Sequence, residues 1–236
     1  MGNLYIIGFF ILGLALGSFL NVCIDRLPRG ESLLNPPSHC EACHHRLAAK
    51  DLIPLFSWLW LRGRCRYCQA SIPRRLLVVE LTTAIIFVCL YWCCGLTPKL
   101  GIMAFYACLF MVIFVVDLEH GLILNKVVYP GLVAVLLIAI FLPQPPWIVQ
   151  LWIYGLPNFA LGGAISFVMF LLLAVISRGG MGWGDVKLAA LIGLATGFPL
   201  VFVALVIGAI LGGLTAIVLL ATKKRGRKEA IPFGPF

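Results

Sequence analysis

Two aspartates stand where an apolar chain can least easily hold them. Asp185 follows Gly179-Gly180-Met181-Gly182-Trp183-Gly184 and opens a hydrophobic segment, and Asp117 closes the apolar run Leu100–Val116. A carboxylate in or beside a bilayer is costly, so it is a functional hypothesis by default. Two carboxylates sharing one site cannot both ionise cheaply, and one keeps a proton while the other stays charged. The charged member can deprotonate an attacking water, and the protonated one can hydrogen-bond the developing oxyanion, with no metal required. The competing reading of Asp185 is structural, because an aspartate at a helix start serves as an N-cap. The glycines before it would let an extended substrate backbone approach closely.

A second constellation is built from sulfur. Cys40-Glu41-Ala42-Cys43 and Cys65-Arg66-Tyr67-Cys68 are C-x-x-C pairs separated by 21 residues, close to the spacing of four-cysteine zinc sites. One Zn2+ on Cys40, Cys43, Cys65 and Cys68 would hold together a segment too small to build its own core. Disulfides are the alternative, and a reducing cytoplasmic location argues against them. His39, His44 and His45 lie nearby, but four sulfurs already fill the site, so they read as surface histidines. Cys23, Cys89, Cys93, Cys94 and Cys108 fall in or beside apolar runs and read as small hydrophobes. Glu80, inside another apolar run, needs either Arg74 or Arg75 as a partner or a ligand contact.

The elements that must position these groups are membrane helices. With 62% hydrophobic and 11% charged residues, the chain lies outside the soluble globular range. Apolar runs fall at Leu4–Ile24, Leu76–Cys94, Leu100–Val116, Val127–Leu142, Leu151–Ile176, Val186–Thr196 and Pro199–Ala221. Most approach the ~20 residues that cross ~30 Å of hydrocarbon. The first run lacks the basic start of a signal peptide and reads as a membrane helix. Its Gly13 and Gly17 have the small-x-x-x-small spacing of close helix pairs. Tyr129-Pro130-Gly131 marks a kink or late start of the fourth helix, and Pro143-Gln144-Pro145-Pro146 reads as an external turn. Val186–Thr196 is too short to cross alone and must be shielded by neighbours or extended.

Nine lysines and arginines lie between Arg26 and Arg75, which makes that loop cytoplasmic and the N-terminus external. Alternate threading then puts Lys126, Arg178, Lys187 and the run Lys223–Lys228 inside as well, with Asp117 and Asp185 at the same cytoplasmic face. The net charge of +9 is thus a topology signal and an attraction to anionic lipid, not a nucleic-acid footprint. The expected architecture is an all-α polytopic membrane protein of about seven transmembrane helices with a small cytoplasmic loop domain of the four-cysteine zinc type. Its divisions are a first helix at 1–24, the loop at 25–75, and a membrane-embedded core with a basic C-terminal segment at 76–236.

Taken in order, these residues resemble the type IV prepilin peptidase family of bifunctional leader peptidases and N-methyltransferases. The resemblance runs from Gly17-Ser18-Phe19-Leu20-Asn21-Val22 and Arg26-Leu27-Pro28, through the four cysteines with Asp51-Leu52-Ile53-Pro54 and Val79-Glu80. It continues to Asp117-Leu118-Glu119, Gly182-Trp183-Gly184-Asp185-Val186-Lys187 and Ile231-Pro232-Phe233-Gly234-Pro235-Phe236. It implies that Asp117 and Asp185 are the catalytic pair of an aspartic protease at the bacterial inner membrane. That protease cuts the basic leader of a prepilin or pseudopilin after its glycine. It further implies methylation of the new amino terminus with S-adenosylmethionine, with the loop involved and Asn21, Arg26, Gly63, Arg64 and Glu80 as cofactor-binding residues. The family's Ile-Pro is Ile123-Leu124 here, and its lysine after the glycine matching Gly63 is Arg64. The family commonly continues past the matched ending into one more helix.

Two other classes fit parts of the pattern. An ion- or proton-coupled transporter uses intramembrane carboxylates, but its sites lie near the midplane and an inverted repeat is not detectable in this chain. A non-enzymatic secretion or pilus assembly protein would account for the loop domain and leave the aspartate pair without a purpose.

Overall fold

The computed structural model describes residues 2–141, 156–177 and 181–221. The Pro143–Pro146 turn, Arg178 to Gly180, the basic run Lys223–Lys228 and the ending Ile231–Phe236 lie outside the described residues. Among the described residues the regular elements are helical: α1 (Gly2–Arg29), α2 (Phe56–Trp60), α3 (Arg74–Cys94), α4 (Pro98–His120), α5 (Asn125–Phe141), α6 (Leu156–Ile176), α7 (Trp183–Thr196) and α8 (Leu200–Ala221), with a single 3-10 turn at Ala49–Asp51. Each expected apolar run is matched by a helix. α1, α3, α4 and α6 are long and apolar enough to cross a membrane, while α5 and Leu200–Ile210 within α8 are shorter apolar stretches. The protein is therefore an all-helical, multi-pass membrane protein.

Two compact units divide the chain between Val112 and Ile113. In the first, α1 lies against α3 with glycines at the contact. A Cβ on Gly13 would stand 2.6 Å from the Ala84 Cα, and one on Gly17 would stand 2.7 Å from the Glu80 Cα. The backbones therefore meet at the small-residue spacing, as expected. Ile24, Val79, Ala84 and Phe87 fill the interface, and Phe9 stacks on Tyr91 at 4.9 Å. Polar ends close the pair, with Arg75 donating to Asp25 at 2.5 Å and Asn21 to the Leu76 carbonyl at 3.0 Å.

Three helix limits differ from the apolar runs, and in each case charge lies beyond the hydrophobic stretch. α1 continues past Ile24 to Arg29, where Arg26 and Arg29 complement the negative end of the helix. α4 continues past Val116 to His120, so Asp117 sits inside the last turn rather than after it. α5 starts at Asn125, well before Pro130, so the proline is not a late start.

In the second unit α6 packs on α7. A Cβ on Gly162 would lie 2.5 Å from the Gly193 carbonyl oxygen, and Ser166 turns its hydroxyl back to the Gly162 carbonyl at 2.9 Å. α7 has 14 residues and rises about 21 Å, less than a hydrocarbon thickness. It is shielded instead, with α5, α6 and α8 packed against it and Val186, Leu188, Ala189 and Leu191 buried. Such an arrangement is the condition under which a short helix end survives at membrane depth.

Candidate active site and metal centre

Asp117 is 3% exposed in the last turn of α4. The helix stops there because Gly121 takes φ +62° and returns its N–H to the Asp117 carbonyl at 2.8 Å, a left-handed turn that glycine adopts without a Cβ penalty. The next residues, Leu122 to Leu124, lead into α5, and on this linker rests the start of α7. A Cβ added to Gly184 would stand 2.8 Å from the Ile123 Cβ. Lys187 Nζ donates to Asn125 Oδ1 at 2.9 Å and lies 5.1 Å from the centre of the Tyr129 ring. The α7 start is thereby seated against the segment that leaves Asp117, and both aspartates belong to the same compact unit.

Asp185 is not an N-cap. Gly182 holds that position, and Asp185 stands three residues on, half-buried, where its Oδ2 accepts the Gly182 N–H at 3.3 Å. This is the carboxylate half of a capping box, and with the open amides of the first turn it favours negative charge there. Its half-buried setting opposes that charge. Lys187, two residues on, gives its amine to Asn125 and Tyr129. Neither contact was foreseeable from spacing, although Asn125 stands in the polar turn where a donor would find an acceptor.

The loop of the first unit folds as two matched knuckles. His44 N–H reaches the Cys40 carbonyl at 2.8 Å, and Gln69 N–H reaches the Cys65 carbonyl at 3.0 Å, with His44 and Gln69 at φ +56° and +59°. His39 pairs with Arg46, and Arg64 with Ser71, across the two bases. All four sulfurs lie within 4.8 Å of one another, and the Cys40 and Cys68 sulfurs are 3.7 Å apart. A tetrahedron with Zn–S bonds of ~2.3 Å has edges of about 3.8 Å, so the donor set fits Zn2+. The cysteines are unpaired by disulfides. The Cys43 N–H is the main influence on Cys40 and brings its thiol down to about 7. For Cys68 the Ala70 N–H acts downward, but burial and the crowding sulfurs drive it up to about 12. One readily formed thiolate beside a reluctant one is the state a divalent cation resolves by ligating both.

Asp51 binds the knuckles together. Its side chain, 2% exposed, accepts the Arg66 Nε–H at 2.7 Å, the Tyr67 hydroxyl at 3.2 Å and the Ala48 N–H at 3.3 Å. Burial alone would raise this carboxyl; the Arg66 guanidinium and the other donors overcome it and hold it below its ordinary range. His45 packs on the Tyr67 ring at 3.8 Å, so this histidine has a packing role.

The five residues expected around a methyl donor fall in two places. Asn21 and Glu80 lie at the α1–α3 interface, where Asn21 is 3% exposed and its Oδ1 is buried without a hydrogen bond from the described residues. Glu80 does not use Arg74 or Arg75; its Oε2 accepts the Leu55 N–H at 2.7 Å. Arg26, near the end of α1, donates to the Ser32 carbonyl at 2.9 Å. Gly63 and Arg64 belong to the second knuckle, where Gly63 takes φ +69° and a Cβ would stand 2.8 Å from the Trp58 ring. Gly63 is thus required by turn and packing together. Leu55, which links Glu80 to the start of α2, carried no sequence signal because only its backbone is used.

Two family models match the chain: the Bacterial Peptidase A24 N-terminal domain over residues 11–94 and the Type IV leader peptidase family over residues 103–217. Among relatives, the chain is similar to the prepilin leader peptidase/N-methyltransferase of Stutzerimonas stutzeri, at 30% identity over 96% of this chain and 85% of that protein. The protein of the same description from Bacillus subtilis is 31% identical over 96% and 88%, and that of Myxococcus xanthus 33% over 95% and 66%. No solved structure matches the chain.

Proposed function

Because this chain belongs to the type IV leader peptidase family, we propose that it cleaves the leader of prepilins or pseudopilins and methylates the amino terminus so exposed. The observation that carries the peptidase reading is the seating of Gly184 and Lys187, on either side of Asp185, against Ile123 and Asn125 of the segment that leaves Asp117. In this reading the two carboxyls share one site. Asp185, favoured as the charged partner by the Gly182 N–H, removes a proton from water as the water oxygen bonds to the scissile carbonyl carbon of the leader's glycine. Asp117 donates a hydrogen bond to the carbonyl oxygen as it gains charge. Collapse of the tetrahedral species breaks the C–N bond, and the proton held by Asp185 passes to the leaving amine. By the positive-inside rule the site faces the cytoplasm of the inner membrane, with the N-terminus outside.

For the second step, S-adenosylmethionine supplies the methyl group. The buried Asn21 Oδ1 offers a vacant acceptor for a ligand donor, and Arg26 offers charge at the same end of α1. Glu80 orients the start of α2, and Gly63 with Arg64 shapes the turn beyond it. We assign residues 25–75 to methyl transfer and 76–236 to peptide cleavage, with Zn2+ structural on the four cysteines. The positive-inside reading puts both aspartates at the cytoplasmic face and not at the midplane, which disfavours a transporter.

The experiment is cleavage of a purified prepilin-like peptide by the protein in lipid nanodiscs. Leader release that disappears in Asp185→Asn supports a peptidase; intact peptide with the unaltered protein, or ion flux in proteoliposomes that responds to the same substitution, would favour the other classes.

A further inference from the structure

α2 exposes an unusual surface for part of a polar loop. Phe56, Leu59 and Trp60 lie at helical spacing on one face, and Leu52 and Ile53 in the turn before it are exposed as well. Trp60 is 84% exposed and Phe56 64%. The opposite side is used internally, with Trp58 packed on Gly63. Arg62, Arg64 and Arg66 follow at once.

The depth of this surface is fixed by Glu80. Its Oε2 receives the N–H of Leu55, which caps α2. Glu80 is six residues into α3, about 9 Å along a helix that crosses the bilayer. Helical side chains lean toward the helix N-terminus, so Leu55 lies somewhat nearer the surface than that. The α2 start is therefore held a few ångströms inside the level at which α3 enters the membrane. Interfacial helices bury their apolar face ~5–10 Å into the headgroup and acyl boundary, with Trp, Phe and Leu below and Lys or Arg above. Val78 and Leu81 of α3, neighbours of Glu80 in sequence, are exposed apolar residues too.

We propose that the Leu52–Trp60 segment is a lipid-seated anchor. It inserts Phe56, Leu59 and Trp60 into the headgroup–acyl boundary beside α3, while Arg62 and Arg64 meet anionic headgroups. The occupant of the surface is the bilayer itself, and the anchor sets the height of the four-cysteine domain above the membrane. This inference rests on the membrane helices and not on the peptidase reading.

The test uses the full chain in vesicles of phosphatidylcholine doped with phosphatidylglycerol, with a small fluorescent amino acid incorporated at Trp60 and, separately, at the exposed Glu41 of the first knuckle. Lipids brominated near the ester end of the chain should quench the label at 60 strongly. Lipids brominated near the methyl end should quench it less, and aqueous iodide should hardly reach it. The label at 41 should show the reverse. The same label at Phe56 repeats the reading should the first substitution disturb folding. Free access of iodide to 56 and 60 with no lipid quenching would overturn the proposal. Protection that arises only on adding a prepilin-like peptide would overturn it too, by making the face a protein-docking surface.

Discussion

Substituting alanine at Gly184 separates the positioning of Asp185 from the stability of the helix that carries it. The new Cβ would lie 2.8 Å from the Ile123 Cβ, whereas carbon atoms in contact prefer ~3.5–4.0 Å. About 1 Å of displacement is therefore needed. Ile123 is β-branched and stiff about χ1, so the displacement falls on the backbone of the linker or of the α7 start, which carry the routes to Asp117 and Asp185. Overpacking of this kind costs about 1–3 kcal/mol, while replacing glycine within a helix returns up to ~1 kcal/mol. Stability should change little. Catalytic geometry is less forgiving, since a misplacement of ~1 Å can cost about 100-fold in rate. Gly182→Ala is the control, because its Cβ would meet only Asp185 Oδ2 at 3.5 Å and the Gly184 nitrogen at 3.9 Å, and its φ of −75° suits any residue. Replacing glycine by alanine at an N-cap costs about 1 kcal/mol of helix stability, a cost in folding that leaves the geometry of the folded site, and so the rate, nearly unchanged. Peptide cleavage by both variants in nanodiscs should show kcat down by about 10–100-fold for Gly184→Ala at a melting temperature near that of the unaltered protein. Equal losses in the two variants would refute the packing argument and favour glycines kept for substrate approach.

The zinc reading predicts one zinc per chain, and a strong chelator should expose all four thiols to alkylation together with loss of methylation; metal content far below one per chain would remove the reading. For Asp51, whose folded carboxyl titrates below its ordinary range, the stabilisation is fully present above the unfolded value of about 3.9 and is lost as pH falls through the lower folded value. Zinc retention measured down an acid series should therefore decline less steeply in Asp51→Asn, from a weaker starting point, than in the unaltered protein. Gly17→Val should disrupt the α1–α3 pair, because even a Cβ would stand 2.7 Å from the Glu80 Cα. Gly8→Val, with open space around its Cβ, should leave detergent-resistant folding unchanged.

Much of the architecture was legible because the bilayer imposes one strong rule on sequence. Helix positions followed from runs of apolar residues, and the Gly13–Gly17 contact and the shielding of α7 followed from spacing and length. The four sulfurs converged as their doubled pairs required. What remained hidden was made by backbone groups or by charges outside the runs. Glu80 took the Leu55 N–H rather than an arginine, and a backbone donor leaves no mark on side-chain identity. Arg75 went to Asp25, and Lys187 to Asn125, because partners in tertiary space compete with neighbours in sequence. Asp185 stood at the third helical position because Gly182 already ended the extended segment, one residue type being unable to show where a helix begins. The amphipathic α2 was hidden by its brevity, its five residues being too few for a periodic signal.

The most direct test of the paired-aspartate account is single-turnover cleavage of a prepilin-like peptide by Asp117→Asn, Asp185→Asn and the double variant in nanodiscs, with zinc content confirming that each is folded. Residues that act as one unit are non-additive. The account predicts that either single substitution abolishes nearly all cleavage and that the double variant is scarcely slower than the singles. Substantial cleavage by either single variant, or losses that multiply in the double, would contradict it.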